Sequence, residues 1–270
     1  MRVKIECPIN FLQVQNLNII LEDLGYTIDS KDPECIIVNP GTDVFLGEDY
    51  FSRYKNLKAV GTPSTGVNHL DMEYLNSRNI VVKCLLDNRD VLENIHASAE
   101  FTWLHVMNAF RRFIPATNST DNWRGPENER FLRSNELAGK TIGIVGMGRI
   151  GRKLARYAEA FNMNVEYYDP YVEKNEYKRV FSLTNLQNVD ILCISCYLTD
   201  ETRGLISKGI LDNFKKNLIV INTSRGETVN EDYIYDLITR DKIFYSCDVL
   251  CNEQNIKKLK QSKLFNLKRD

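Results

Sequence analysis

The stretch Thr141-Ile142-Gly143-Ile144-Val145-Gly146-Met147-Gly148-Arg149-Ile150-Gly151 leaves this chain the fewest choices. Ile142, Ile144 and Val145 make a short apolar strand, and Gly146, Gly148 and Gly151 follow with G-x-G-x-x-G spacing. In a strand–turn–helix unit each glycine has its own reason. The first allows a tight turn, the second lets a pyrophosphate approach the backbone, and the third lets the helix pack on the strand. Ile150, Leu154, Ala158 and Phe161 then recur at helical spacing. The first N–H groups of such a helix have no partner within it and attract phosphate. A second apolar strand over 165–168 ends at Asp169, 18 residues after Gly151, where an acid takes the hydroxyls of an adenosine ribose. Pro170 and Tyr171 follow, with no adjacent arginine for a 2′-phosphate. The pattern therefore predicts a dinucleotide site that favours NAD over NADP.

A chain of 270 residues can hold one large or two modest domains. Its 43% apolar and 26% charged residues are the proportions of a globular protein. The net charge of −1 offers no basic surface for nucleic acid or an anionic membrane. No apolar run reaches the roughly 18 residues of a membrane span. Residues 1–6 begin a strand rather than a signal peptide, so a cytoplasmic location is expected. The seven cysteines are irregularly spaced, which argues against a disulfide framework. Cys193-Ile194-Ser195-Cys196 has C-x-x-C spacing, but inside a strand run whose alternation points the two thiols to opposite faces. A redox pair would sit at a helix start instead. His69, His96 and His105 have no ligand partners at useful spacing, and no metal is expected.

Strands alternating with helices predict two parallel-sheet units, one over 1–88 and a second over 89–270. In the first, Thr62-Pro63-Ser64-Thr65-Gly66-Val67-Asn68 follows a strand end, where open parallel sheets place ligands. Small residues there either let backbone N–H groups face a small anion or make a plain connection. Residues 91–114 read as the longest helix, ended by Pro115 and bridging the two domains. Trp123 stands out in a polar segment, to cover a partner subunit or to pack on its own chain. Residues 173–189 read as a variable region, and 208–214 as a helix. Three strand ends of the second half carry Asp169, Arg225 and the pair Asp248 and Glu253. In a parallel sheet these ends share one edge, so the residues can converge. A guanidinium such as Arg225 can hold a carboxylate at two points and polarise an adjacent carbonyl.

One ordered series then resembles a known family. It comprises Ser64-Thr65-Gly66-Val67-Asn68-His69-Leu70-Asp71, Ala99-Glu100-Phe101-Thr102, and Glu136-Leu137-Ala138-Gly139-Lys140-Thr141 running into the glycine turn. It continues through Tyr168-Asp169-Pro170, Leu198-Thr199-Asp200-Glu201-Thr202-Arg203-Gly204-Leu205-Ile206, Ile221-Asn222-Thr223-Ser224-Arg225-Gly226 and Asp248-Val249. The series is similar to that of the D-isomer-specific 2-hydroxyacid dehydrogenases, which include phosphoglycerate and D-lactate dehydrogenases. The resemblance runs from about residue 57 to residue 270, and residues 1–56 fit it loosely. It implies an α/β protein with a flavodoxin-like substrate domain followed by a Rossmann NAD-binding domain, both with parallel sheets.

The resemblance also implies roles. Arg225 matches the arginine that binds the substrate carboxylate and keto oxygen. Glu253, five residues after Asp248, matches the glutamate that pairs with a catalytic histidine and raises its pKa. Asp248 matches a residue near the nicotinamide amide, and Thr65 and Gly66 match a loop whose backbone binds the substrate carboxylate. Gly146, Gly148, Arg149, Ile150, Gly151, Asp169, Cys196, Tyr197, Thr202, Thr223 and Ser224 fall where the family lines its cofactor; Tyr197 replaces the usual proline. The family's histidine follows the segment matching Leu267-Lys268-Arg269-Asp270, as does a helix that returns to the substrate domain. Neither falls within these residues, and His69, His96 and His105 do not match, so the expectation is a fragment of a longer enzyme or a degenerate relative. The implied activity is reversible hydride transfer between a D-2-hydroxy acid and its 2-keto acid, in a homodimer. The alternative is a catalytically inactive NAD-binding interaction protein on the same fold. A methyltransferase with a glycine-rich turn leaves Arg225 and Glu253 unexplained.

Overall fold

The computed structural model describes residues 1–6, 14–29, 31–39, 44–118, 125–126, 129, 132–173, 176–253 and 255–267. Cys7, Trp123 and Lys268-Arg269-Asp270 lie outside that set, with the readings attached to them. The chain divides into two compact units, residues 1–95 with 253–256 and residues 96–252 with 257–270.

In the first unit, β1 (Arg2–Glu6), α1 (Val14–Asp23), β2 (Thr27–Ile28), β3 (Cys35–Val38), α2 (Glu48–Phe51), β4 (Ala59–Gly61), α3 (Met72–Ser77), β5 (Val81–Lys83) and α4 (Arg89–Glu93) follow in order. Every ladder is parallel and the strand order is β2-β1-β3-β4-β5, the flavodoxin-like arrangement. Ile36, Val38, Phe51, Val60 and Leu75 close its core. The helix α3 starts where the Asp71 carboxylate accepts the Tyr74 N–H at 2.9 Å.

The second unit contains α5 (Ala97–Arg111), α6 (Phe113–Asn118), β6 (Thr141–Val145), α7 (Arg149–Ala160), β7 (Asn164–Tyr168), β8 (Lys178–Val180), β9 (Ile191–Ile194), α8 (Lys208–Leu211), β10 (Leu218–Asn222), α9 (Glu231–Thr239) and β11 (Ile243–Cys247). Its six parallel strands run β11-β10-β9-β6-β7-β8, the doubly wound dinucleotide-binding order, which reverses between β6 and β9. The central strands are mostly apolar because both faces are covered, with the buried Asn222 ending β10. Ile191, Cys193, Ile219 and Ile221 enter the core on one face, and Leu192, Ile194, Leu218 and Val220 enter the core on the other. Cys193 and Cys196 thus pack against opposite faces, and burial pushes their thiols up to about 12 and about 11.

Three expectations about elements change. The stretch 91–114 is not one helix: α4, α5 and α6 divide it, with breaks at residues 94–96 and at Arg112, which lies in the left-handed region at φ 51°. Pro115 does not end the helix. It is the third residue of α6, in a first turn whose N–H groups have no intrahelical partner to lose. The variable region holds β8 and a 3₁₀ turn at Leu183–Leu186, and the helix begun at Lys208 closes at Leu211. Among the described residues no helix is long and apolar enough to cross a membrane.

Candidate functional site

Strand register brings the second unit's site together. Tyr168, Val145, Ile194, Asn222 and Cys247 form one row of paired residues across β7, β6, β9, β10 and β11. The residue that leaves each strand is therefore Asp169, Gly146, Ser195, Thr223 and Asp248, all on the carboxyl edge. At roughly 4.8 Å per strand, four intervals separate Asp169 from Asp248 by about 19 Å. The reversal point lies between them, where such sheets open a crevice.

The glycine turn has the geometry a pyrophosphate needs. Gly146 has φ +94°, and a Cβ there would stand 2.8 Å from the Cys196 nitrogen. A Cβ on Gly151 would stand 2.1 Å from the Gly146 carbonyl oxygen, so only glycine lets α7 start this close to β6. Gly148 differs: a Cβ there would meet nothing within 4 Å, so its surroundings are open. Among the described residues the Gly148 and Ile150 N–H groups have no intramolecular partner. Open space before unpaired N–H groups at a helix start suits a phosphate. Ile150 packs against the core, and Arg149 opens the helix.

Asp169 is buried, and its carboxylate accepts three backbone N–H groups, from Met147 at 2.8 Å, Tyr171 at 2.8 Å and Val172 at 3.0 Å. It thereby ties the glycine turn to the loop after β7 and keeps about one free acceptor position. Arg179 of β8 donates to the carbonyls of Asp169 at 2.9 Å and Pro170 at 3.0 Å. No arginine adjoins Asp169 in sequence, but the edge strand brings one to its backbone. Across the reversal point, Thr202 Oγ1 donates to the Tyr197 carbonyl at 2.6 Å and accepts the Thr199 N–H at 2.7 Å, fixing the loop after β9. Tyr197 projects from that loop and is 64% exposed, whereas Cys196 packs inward. Tyr171 donates to Glu201 at 2.7 Å, linking the two loops.

The loop after β10 is organised by Asn222, which is fully buried. Its Oδ1 accepts Ser224 N–H at 3.1 Å and Ser224 Oγ–H at 2.8 Å, and its Nδ2 donates to the Arg225 carbonyl at 3.0 Å. A Cβ on Gly226 would stand 2.1 Å from the Leu250 carbonyl carbon, so this turn runs against the chain that leaves β11. Arg225 and Asp248 lie within electrostatic reach of each other. Loss of surrounding water raises the Asp248 carboxyl, opposed by His105 and Arg225. From α5, Thr102 Oγ1 lies 2.6 Å from Thr223 Oγ1, and His105 Nδ1 lies 2.7 Å from Ser246 Oγ. Asn222, Thr102, His105 and Arg179 were not assigned to the site from sequence. Asn222 and Thr102 sit inside recognised motifs, but the partners of Thr102 and His105 are distant in the chain, and nothing in sequence marks Arg179 as the side chain that reaches Asp169.

In the first unit, Ser64 Oγ donates to the Gly66 carbonyl at 2.6 Å and curls the loop after β4. Thr62 Oγ1 lies 3.0 Å from Ser64 Oγ and 3.2 Å from His69 Nε2. Among the described residues the N–H groups of Thr65, Gly66 and Val67 have no intramolecular partner, the arrangement of an anion-binding loop. Glu253, in the turn after Asp248, clusters with this first unit. Among the described residues no group of three or more His, Cys, Asp or Glu could hold a metal.

Comparison with known proteins agrees with this geometry. Residues 103–269 match the model of the D-isomer specific 2-hydroxyacid dehydrogenase, NAD binding domain. The chain is 30% identical over 220 residues to D-3-phosphoglycerate dehydrogenase of Methanocaldococcus jannaschii, covering 79% of this chain and 40% of that protein. It is 35% identical over 221 residues to glyoxylate reductase of Thermofilum pendens, covering 78% and 62%. Among solved structures, D-lactate dehydrogenase from Aquifex aeolicus complexed with NAD and lactic acid superposes with a TM-score of 0.75 at 25% identity, over 97% of this chain and 81% of that one. The chain spans about 40% of the length of the curated phosphoglycerate dehydrogenases it matches.

Proposed function

This chain belongs to the D-isomer-specific 2-hydroxyacid dehydrogenases, and from that premise we propose that it binds NAD and oxidises or reduces a small acid at C2. The observation that carries the proposal is the row of strand ends. The glycine turn and Asp169 follow the ends of β6 and β7, and Thr223 and Asp248 follow the ends of β10 and β11 on the same edge, which supports the reading. Bound NAD supplies a two-electron hydride acceptor, matched by release of the hydroxyl proton as the D-2-hydroxy acid becomes its 2-keto acid.

The chain's own residues bind and orient. Gly146, Gly148, Arg149, Ile150 and Gly151 take the pyrophosphate, and the remaining acceptor of Asp169 takes a ribose hydroxyl. Cys196, Tyr197, Thr202, Thr223 and Ser224 line the cofactor, and Asp248 accepts the carboxamide. Arg225 holds the acid's carboxylate and polarises its keto oxygen. In the first unit the free N–H groups at Thr65 and Gly66 bind a carboxylate, and Glu253 partners the group that moves the proton. The proposed domains are a substrate domain over 1–88 and a cofactor domain over 89–270. The working form is a cytoplasmic homodimer, and sedimentation as a monomer at micromolar concentration would remove the dimer.

The test is NADH binding by fluorescence, followed by NADH oxidation with a panel of phosphorylated and unphosphorylated 2-keto acids. Binding with turnover is expected, and Arg225→Lys should lower kcat/KM at least about a hundredfold while NADH affinity stays within threefold. Tight NADH binding with no turnover on any keto acid would assign a non-catalytic, NAD-binding interaction role instead.

A further inference from the structure

The cofactor reading leaves His105, at the Asp248 end, unused. Resting on that reading, we propose that His105 is a positioning residue whose charge, acting beside Ser246 and Asp248, sets how the site discriminates oxidised from reduced dinucleotide. The helix α5 brings His105 to the carboxyl end of β11, where its Nδ1 lies 2.7 Å from the Ser246 hydroxyl. The Phe101 ring packs edge-on against it, with centroids 4.8 Å apart. Ser246 precedes Asp248 by two residues, and the imidazole and that carboxylate act on each other electrostatically.

The groups around His105 define the linkage. From β11 it faces Ser246 and Asp248, and Arg225, from the loop after β10, acts on the same carboxylate. On its own helix the neighbour is the uncharged Phe101. Lys153 and Tyr157 of α7 lie 3.3 and 3.4 Å from His96, at the start of α5, rather than beside His105. Asp248 is thus the charged group that acts on this imidazole directly, and Arg225 acts on that carboxylate.

An oxidised nicotinamide ring carries a positive charge that the reduced ring lacks. With His105 neutral, Asp248 presents its full negative charge and favours the oxidised form. With His105 protonated that charge is offset, and the preference moves toward the reduced form. Burial holds the imidazole below its ordinary value of 6.5, against the opposing pull of Asp248. The charge therefore appears only as the solution becomes acidic. A histidine that merely filled space would give no such dependence.

The experiment measures the dissociation constants of NAD⁺ and NADH at about pH 8 and about pH 5.5, for the parent and His105→Gln. In the parent, the ratio of the NAD⁺ constant to the NADH constant should rise about threefold or more on acidification, and in His105→Gln it should stay flat. A flat ratio in the parent, or an unchanged rise in the variant, overturns the proposal. The chain has three histidines, so NMR titration of the apoprotein supplies a readout that needs no cofactor. Asp248→Asn should lower the His105 midpoint further, and an unmoved midpoint overturns the linkage. If NADH binds at neither pH while the midpoint moves, the cofactor reading fails and the His105–Asp248 coupling survives.

Discussion

Asn222→Ala tests the turn that presents Arg225. The native carboxamide is fully buried and makes three short bonds, from Ser224 N–H at 3.1 Å, from Ser224 Oγ–H at 2.8 Å and to the Arg225 carbonyl at 3.0 Å. At about 1 kcal/mol net for each, the lost ties come to about 3 kcal/mol. Some groups keep other partners. The Arg225 carbonyl still accepts Thr228 N–H at 3.1 Å and Thr228 Oγ–H at 2.7 Å, and Ser224 Oγ stays 3.4 Å from Thr228 Oγ1. Ser224 N–H loses its partner outright. The expected loss is therefore about 2–3 kcal/mol, or roughly 4–12 °C in melting temperature for a unit of this size. Thermal denaturation followed by circular dichroism reads it directly. Asn222→Asp should fall at least as far, since it sets a buried carboxylate against the Arg225 carbonyl. Turnover should drop as well, because the turn carries Arg225. A variant melting within 1 °C of the parent would refute the claim that Asn222 holds this turn.

Three further substitutions separate cradle from fold and acid stability from burial. Gly151→Ala sets a Cβ 2.1 Å from the Gly146 carbonyl oxygen and forces a shift of about 1 Å, so about 1–3 kcal/mol of stability and at least tenfold in NADH affinity should go. Gly148→Ala, whose Cβ meets nothing within 4 Å, should keep its stability yet still weaken NADH, and calorimetry showing parental binding in both would remove the turn from the site. Glu34 is held at about 2 by Lys58 and the Arg2 N–H. Its folded value is depressed, so its stabilisation is present above the ordinary value of 4.5 and lost as pH falls toward about 2. Glu34→Gln should flatten that part of the acid-unfolding curve, and parallel curves for parent and variant would rule the pair out.

The glycine turn was readable because its constraints are local. A left-handed Gly146 and a Gly151 pressed on the Gly146 carbonyl are demands that eleven consecutive residues state for themselves. The parallel strands were readable for a related reason: burial on both faces makes β9, and β10 up to Asn222, continuous apolar runs. The edge strand β8 reads Lys178-Arg179-Val180, with one buried residue and no apolar signal. The break at Arg112 was equally silent, since a left-handed arginine carries no mark in sequence, whereas Pro115 does and drew the boundary to itself.

The site divides along the same line. Residues placed at the end of their own strand, such as Asp169, Thr223 and Asp248, are fixed once register is fixed, so an ordered series of motifs locates them. Residues that reach the edge from another layer are not. His105 meets Ser246 across 141 residues and Thr102 meets Thr223 across 121. Each needs α5 docked on the sheet before its partner is defined. Such contacts are where relatives with the same motifs can differ in chemistry. The motif residues belong to an NAD-binding domain, and the role proposed for His105 puts the adjustable charge on the helix laid over it. On that argument, a neutral substitution at His105 should leave the fold and the cofactor class intact and change only the balance between the two redox forms.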